Sequence, residues 1–439
     1  MPTRRQLLFT AATGMAGIGV LPACSPGGQS APEPTDALRL RVWDEQAAGV
    51  YEKALATFTE STGIEVEVQV VGWETYWSQL PLDAAEQSLP DVFWMNTAHL
   101  DQYLGGDHLV EVGAVAGELA AQWEPVAADL YRREDGLWGV PQLWEQSVLV
   151  VNRALVDAAG GLPGDLRFDL WAESDPLRGL ALALTVDSEG RRAGEEGFDP
   201  ATRQVTGFSA HPDRTAVLGP FIAASGGTWQ HEDGTFTFAS EAGVAAVRYL
   251  AGMADAHLAP SGAETAPKPG LCRELFTQGS LGLLQTGTYD LPALVEGIDG
   301  AFAWDLHPVV AGPEGTRPLV HAIAAVGRAV TSEERTAEIA ELLTWLGGID
   351  AQRPLAEARL GIPAHRDLRG AWDEAWSGAG VDTTVIGPAP ENTARPEHGL
   401  RSAEGTSAAL PIIGEVFRGE ADVNEALARA QDAANEAAG

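Results

Sequence analysis

The chain has 439 residues, more than a single hydrophobic core of about 250 to 300 residues accommodates, so we expect two lobes. Hydrophobic residues make up 45% of the sequence, and 13 Trp supply further apolar surface for two cores. The formal net charge of -34 excludes nucleic acid as a partner, because phosphate binding requires a basic face.

Residues 1–24 have the layout of an export signal. Arg4 and Arg5 precede the apolar run QLLFTAATGMAGIGV, which is too short to span a membrane. The run ends in LPAC, which resembles a bacterial lipobox whose cysteine accepts a diacylglyceryl group. TRRQLL also resembles a twin-arginine signal, although Leu7 replaces the more usual Phe. We therefore expect export, with Cys24 as the lipidation site of an anchor on the outer face of the cell membrane; the export route stays open.

Residues 25–37 are rich in Pro, Gly and Ser and lack apolar periodicity, which predicts a disordered tether. Once Cys24 carries lipid, Cys272 is the one cysteine left, so no disulfide forms within the chain. A lone cysteine is usually a buried apolar residue, and we assign it no chemistry.

The mature chain opens with an α/β pattern. LRLRVW at 38–43 and IEVEVQVV at 64–71 alternate like strands, and helical spacing separates them. Such a βαβ unit builds parallel sheets. A helix that Pro81 kinks or restarts follows, and then a third strand at 91–96.

Aromatic and polar residues cluster at strand ends, where open α/β sheets bind ligands. A carboxylate beside an indole offers a hydroxyl acceptor and a flat apolar face for a ring. Core packing for the indoles and solvation for the carboxylates are the alternatives. The clustered residues are Trp43, Asp44, Glu45, Trp94, Asn96, Trp144 and Glu145.

The second half of the mature chain adds four aromatic or polar candidates. A helix over 214–229 delivers Trp229 after two glycines, and TFTFAS predicts a short strand. A Thr-Gly-Thr-Tyr turn places Tyr289 at a helix start whose free N–H groups can hold a ligand oxygen. Trp304 and His321 lie near the ends of two strands around a GPEG turn.

The order of these segments resembles the extracellular solute-binding proteins of ABC importers, which include the maltose-binding and other sugar-binding proteins. The resemblance runs from LRLRVWDE to EALARAQDAANEA, through LPDVFWMN, LWGVPQLWEQSVLVVNRAL, FTQGSLGLLQTGTYDL and LGIPAH. It implies a two-lobe α/β fold of the type II periplasmic-binding-protein kind, with three crossings and a central cleft. By position, 38–146 plus 311–362 form the N-terminal lobe, and 147–310 plus 363–439 form the C-terminal lobe.

The resemblance matches Glu145 to an acidic residue that binds sugar hydroxyls. Tyr289 stands where the family commonly has Trp, and His321 where it often has Gly, so ligand identity does not transfer. Arg366 can favour an acidic sugar or a phosphate group, although a surface ion pair is the alternative. The predicted ligand-binding residues are Trp43, Asp44, Glu45, Asn96, Trp144, Glu145, Trp229, Tyr289, Trp304, His321 and Arg366.

These features predict a monomeric lipoprotein that captures a sugar or oligosaccharide between two lobes and delivers it to an ABC permease with its cytoplasmic ATPase. No cofactor or metal is expected, since nine scattered His lack ligand spacing. One alternative is a carbohydrate-active enzyme with Asp44, Glu45 or Glu145 as paired carboxylates. The sequence has no G-x-S-x-G, H-E-x-x-H or P-loop motif to support it. The other alternative is a non-transport sugar receptor on the same fold.

Overall fold

The computed structural model describes residues 37–106, 108–133, 136–387, 390 and 392–439. Cys24 and residues 25–36 of the predicted tether lie outside this part of the chain. Within it, none of the helices combines the length and the apolar character that a membrane crossing needs.

The strands are β1 (Leu38–Val42), β2 (Val66–Val70), β3 (Val92–Asn96), β4 (Arg132–Arg133), β5 (Gly136–Leu137), β6 (Val140–Asn152), β7 (Val186–Asp187), β8 (Arg203–Phe208), β9 (Leu281–Gly287), β10 (Trp304–His307), β11 (Val320–Gly327) and β12 (Ile362–Pro363). The helices are α1 (Glu45–Thr62), α2 (Trp73–Ala85), α3 (Gly113–Ala116), α4 (Pro125–Asp129), α5 (Arg153–Ala158), α6 (Pro176–Leu184), α7 (Gly219–Ala224), α8 (Glu241–Asp255), α9 (Gly262–Thr265), α10 (Leu271–Thr277), α11 (Leu291–Ile298), α12 (Glu333–Leu346), α13 (Ile349–Glu357), α14 (Arg369–Gly378), α15 (Ser402–Phe417) and α16 (Val423–Ala438).

The first lobe is built on a mixed sheet with the order β2-β1-β3-β11-β6. β1 pairs in parallel with β2 and β3, as the βαβ pattern predicts, whereas β11 joins β3 and β6 in antiparallel orientation. Between β1 and β2, α1 begins at its cap Asp44 and ends at Gly63, whose φ of 77° suits glycine. The α/β class is confirmed, but the sheet is mixed.

A single strand, β6, belongs to both of the larger sheets among the described residues. Its first half pairs with β11, up to the pair Gln146 and Val320. Its second half pairs with β9 and β10, starting from the pair Ser147 and Gly287. All of its residues are buried, so β6 passes from one sheet to the other without reaching solvent.

The second sheet continues from β6 in the order β9-β8-β7 and is covered on both faces. Val148 and Val150 of β6 point into the core that the first lobe shares with α10 and α11. Leu149 and Val151 alternate with them and point into a second core, formed with α6, α7, α8, α15 and α16.

Three local predictions require correction. TFTFAS forms no strand; Phe236 makes one isolated bridge with Gln230, and its ring packs in the second core. The predicted helix over 214–229 begins with a wide helical turn at Arg214–Leu218 and ends with α7. The helix α2 continues through Pro81 instead of restarting there.

The Asp44 carboxylate caps α1 by accepting a hydrogen bond from the Ala47 amide at 2.7 Å. We therefore expect Asp44→Ala to lower the free energy of unfolding by about 1 kcal/mol, as loss of an N-cap usually does. Asp44→Ser keeps a capping oxygen and should retain most of that stability. Urea unfolding followed by circular dichroism measures both, and equal losses for the two variants would contradict a capping role.

Candidate functional site

Strand pairing places Glu145 opposite His321 where β6 leaves the first sheet. The Glu145 carboxylate accepts a hydrogen bond from His321 Nε2 at 2.9 Å, and Glu145 is 6% exposed. The Tyr289 ring lies 5.9 Å from the imidazole, measured between ring centroids, and is 38% exposed. Three predicted residues thus converge beside the strand that links the two sheets.

This group keeps hydrogen-bonding capacity for a ligand. The bond from His321 engages Oε2 of Glu145 and leaves Oε1 available. His321 Nδ1 is buried and has no hydrogen-bond partner among the residues the structure describes. Because His321 Nδ1 has no accessible surface, Oε1 of Glu145 is the atom of this pair that suits a polar ligand.

An aromatic cluster of the first lobe surrounds Trp43 at the carboxyl end of β1. The rings of Trp73, Tyr76, Trp77 and Trp94 lie 5.3, 5.2, 5.5 and 5.0 Å from the Trp43 ring, centroid to centroid. Trp73 is 48% exposed, so the cluster presents an indole to solvent. The sequence does not single out Trp73 or Trp77 as site residues, since only tertiary packing brings them to Trp43.

The remaining predicted residues of this lobe lie at the same strand ends. Glu45 is exposed in the first turn of α1, behind the cap Asp44. Asn96 ends β3, and its side-chain oxygen accepts a hydrogen bond from the Ala98 amide at 3.0 Å. Both lie where the first sheet faces the second lobe.

His99 connects the aromatic cluster to the second lobe. Its imidazole stacks on Trp77 with 3.8 Å between ring centroids. Burial lowers the pKa of His99 to about 4, against a smaller opposite effect of the Glu397 carboxylate. His99 is therefore neutral near pH 7 and provides a flat polar ring at this face of the first lobe.

A cavity of about 820 Å³ lies between the two lobes. On the first lobe it is lined by Thr97, Pro125 and Arg133, and on the second by Arg395 and Glu397. Ligand pockets for small molecules typically measure about 300 to 1,000 Å³, so this cavity accommodates a molecule of sugar or oligosaccharide size. A smaller cavity of about 250 Å³ adjoins Tyr289, and its wall includes Arg273 and Asp290.

Trp229 lies in the second lobe with its ring in the core. It is 5% exposed, stacks on Phe238 at 4.3 Å, and lies under the Arg214 guanidinium at 4.5 Å. Arg214 in turn pairs with Glu397 at 3.2 Å, a residue of the larger cavity. Trp229 therefore does not line the larger cavity; it packs against Arg214, which pairs with a residue of the cavity wall.

Three predicted residues make no described contact with the side chains of the Glu145 group. Trp144 is 1% exposed and packs in the first core. Trp304 pairs with Asn152 at the far end of β6, about 20 Å along the strand from Glu145. Arg366 is exposed and donates a hydrogen bond to the Ala121 carbonyl.

The buried His99 gives a testable pH dependence of stability. An unfolded chain protonates this histidine near pH 6.5, whereas the folded protein does so only near pH 4. The unfolded state therefore binds the extra proton, and the free energy of unfolding falls as the pH drops through this window, by about 3 kcal/mol at most. His99→Phe keeps a ring against Trp77 but has no proton to bind. Its free energy of unfolding, measured with urea, should therefore fall less between pH 7 and pH 4.5 than that of wild type. An exposed control, His231→Phe, should behave as wild type; equal losses in both variants would contradict the assignment.

Solved structures with the same fold share almost the whole described chain. UspC of M. tuberculosis is 33% identical, with a TM-score of 0.78 over 91% of this chain and 100% of that chain. The GacH receptor of Streptomyces glaucescens, solved unliganded and with acarbose, is 18% identical, with a TM-score of 0.74 over 92% and 99% of the two chains. Lmo0181 of Listeria monocytogenes, an ABC substrate-binding protein solved with cycloalternan, is 17% identical, with a TM-score of 0.73 over 91% and 97%.

No curated protein sequence matches the chain. The family model of the bacterial extracellular solute-binding proteins matches residues 43–353, which include α1, the Glu145 group and the first half of α13. The two-lobe fold and this match agree with the resemblance in the sequence. The chain belongs to the bacterial extracellular solute-binding proteins.

Proposed function

We propose that the protein captures a sugar or oligosaccharide between its lobes and delivers it to the permease of an ABC importer. The observation that carries the proposal is the convergence of Glu145, His321 and Tyr289 beside the strand shared by both sheets. Several solved structures of this fold are sugar-binding proteins, among them T. maritima MalE3 with maltose.

The chemistry of the site fits a neutral ligand with hydroxyl groups. Oε1 of Glu145 can accept a hydrogen bond from a ligand hydroxyl. The exposed indole of Trp73 offers a flat face to the C–H side of a ring. The wall of the larger cavity carries two guanidinium groups and a larger number of carboxylates, so it disfavours anions; these residues are Arg133 and Arg395 against Glu124, Asp129, Glu232 and Glu397. Hydrogen bonding and stacking select the ligand.

Binding operates through lobe closure. The segment that leads into α15 contacts the first lobe directly: the Gly399 amide donates a hydrogen bond to Asp101 at 2.5 Å, and Ser402 Oγ donates one to the Ala98 carbonyl at 3.2 Å. A ligand that contacts both lobes favours a closed arrangement over an open one. The closed shape is what the permease recognises.

The lobe boundaries, the anchor and the oligomeric state belong to the same proposal. We place the first lobe at 38–146 plus 311–362, and extend it to Gly378 because Trp372 and Trp376 of α14 pack in the first core. Lipid on Cys24 and a tether over 25–37 hold the protein, a monomer, near its permease, where tethering raises the effective concentration. The protein performs no chemistry on its ligand and needs no cofactor.

We expect Glu145→Gln to weaken carbohydrate binding about tenfold or more. The variant retains the shape of the side chain, but a hydrogen bond to a charged group contributes about 1.5 to 3 kcal/mol. A thermal-shift screen of the mature protein against mono- and oligosaccharides identifies the ligand, and titration calorimetry then compares the variants. Glu67→Gln, at an exposed position of β2, should bind as wild type.

Unchanged affinity in Glu145→Gln would remove Glu145 from the site. If the protein instead acts on carbohydrate, it releases reducing sugar from a glycoside, which a colorimetric assay on the same preparation detects. Reducing sugar formed by wild type and lost in the variant would overturn the binding proposal in favour of an enzyme.

The contact between Asp101 and Gly399 should contribute to affinity through closure. Asp101→Ala removes the acceptor of one hydrogen bond between the lobes, and also the partner that Arg133 contacts at 2.5 Å. We expect ligand affinity to fall about three- to tenfold and the radius of gyration in X-ray scattering without ligand to rise. Asp165→Ala, which removes an exposed carboxylate paired with Arg167, serves as the control. Wild-type affinity and dimensions in Asp101→Ala would show that closure does not depend on this contact.

A further inference from the structure

The last residue of β9 is a glycine that lies against the Tyr289 ring. Gly287 is buried and pairs with Ser147 of β6. A methyl group added to its α-carbon would lie 2.0 Å from Cε1 of Tyr289 and 2.5 Å from both Cδ1 and Cζ. Carbon atoms in van der Waals contact are about 3.5 to 4.0 Å apart. The ring therefore fills the space that a side chain at position 287 would need.

The backbone conformation does not require glycine at this position. Gly287 has φ of −106° and ψ of 163°, an extended conformation that any residue adopts. Glycine in a strand is less favourable than a residue with a side chain, because it loses more conformational freedom on folding. The contact with the Tyr289 ring supplies the physical reason for glycine here.

Hydrogen bonds hold the turn after β9 on both sides of the tyrosine. The Gln146 amide donates a hydrogen bond to Thr288 Oγ1 at 3.3 Å. The Asp290 carboxylate accepts hydrogen bonds from Thr286 Oγ1 at 2.5 Å and from Arg273 Nη1 at 2.6 Å. Because these bonds fix the backbone of the turn, a larger residue in place of the glycine would displace the ring by rotating the tyrosine side chain.

The ring held in this way lies beside the Glu145 and His321 pair. It is tilted by 49° from the His321 imidazole, with 5.9 Å between the ring centroids, and Tyr289 is 38% exposed. Oε1 of Glu145 is left free by the bond from His321. The aromatic ring and the free acceptor thus have a fixed relative position before any ligand arrives, which lowers the entropy cost of binding.

We propose that Gly287 is a positioning residue of the ligand site, which sets the orientation of the Tyr289 ring relative to the Glu145 carboxylate. This role rests on the proposed function, in which Tyr289 contacts the ligand. Gly287 itself makes no contact with the ligand, and its contribution is the absence of a side chain under the ring.

Crystal structures of wild type and Gly287→Ala, both without sugar, test the position of the ring. The added methyl group should force Cε1 of Tyr289 from 2.0 Å to about 3.5 Å away, so the ring should move by about 1.5 Å or more while the backbone of residues 286–290 superimposes. A ring that keeps its wild-type position, with the methyl group accommodated by a shift of β9, would overturn the proposal.

Affinity and stability together separate positioning from a merely structural role. We expect Gly287→Ala to weaken carbohydrate binding about three- to tenfold in titration calorimetry, because the ring leaves its place beside the ligand. Its free energy of unfolding in urea should not fall, since alanine fits the extended backbone and the exposed ring can rotate. Gly164→Ala, where no atom lies within 4 Å of the added methyl group, should bind as wild type.

The Tyr289→Ala background shows whether the glycine acts through the ring. Addition of Gly287→Ala to Tyr289→Ala should cause no further loss of affinity or stability, and a fold lost in Gly287→Ala but restored in the double variant would support the same contact. Wild-type affinity in Gly287→Ala, or an equal loss in both backgrounds, would contradict the positioning role. A wild-type protein that binds no carbohydrate would instead refute the proposed function, whereas a displaced ring in the Gly287→Ala crystal would still confirm that Gly287 sets its orientation.

Discussion

The structure depends on one buried strand that two sheets share. Because β6 pairs with β11 up to Gln146 and with β9 from Ser147 onward, the backbone stays hydrogen-bonded while it passes between the lobes. A flexible loop at this point would leave the lobes free to move in any direction. A paired strand restricts them to bending about a defined position, and this fixes where a ligand held by both lobes must lie.

The same strand explains why polar side chains tolerate burial here. Gln142, Gln146 and Ser147 are all at most 8% exposed. Gln142 and Ser147 reach backbone groups of neighbouring segments: Gln142 donates to the Leu346 carbonyl at 3.1 Å, and Ser147 Oγ accepts from the Leu319 amide at 2.9 Å. These bonds fasten the connecting segments to β6. Glu145, whose Oε1 is left free by the bond from His321, is the position where the strand has capacity left for another molecule.

The sequence predicts the fold better than it predicts the site. Alternation in β1 and β2 and the helical spacing of α1 are local patterns, so the α/β class follows from short stretches of chain. The sequence also singles out Glu145, His321 and Tyr289, because each follows or opens a recognisable strand. It does not predict that Glu145 and His321 are bonded, since strand register between segments 176 residues apart is set by packing.

The site residues that the sequence does not reveal are brought together by tertiary contacts. His99 stacks on Trp77, and the charge of Glu397 affects its pKa. These interactions join three parts of the chain that are distant in sequence. Conversely, Trp304 ends up remote from Glu145 although it too lies at a strand end, because β10 pairs with the opposite end of β6. A strand end predicts a site only once the direction and partner of the strand are known.

The distribution of charge makes an anionic ligand unfavourable. With 28 Lys and Arg against 62 Asp and Glu, cations are scarce, and several are engaged with buried carboxylates. Asp91, with a fully buried side chain, binds Arg328 at 2.7 Å and Arg335 at 2.8 Å, and Arg214 pairs with Glu397 behind the larger cavity. These guanidinium groups compensate internal carboxylates and leave a surface of negative charge that repels anions over about one Debye length. An uncharged, hydroxylated ligand experiences no such repulsion, so hydrogen bonds at Glu145 and aromatic faces around Trp43 can decide its affinity.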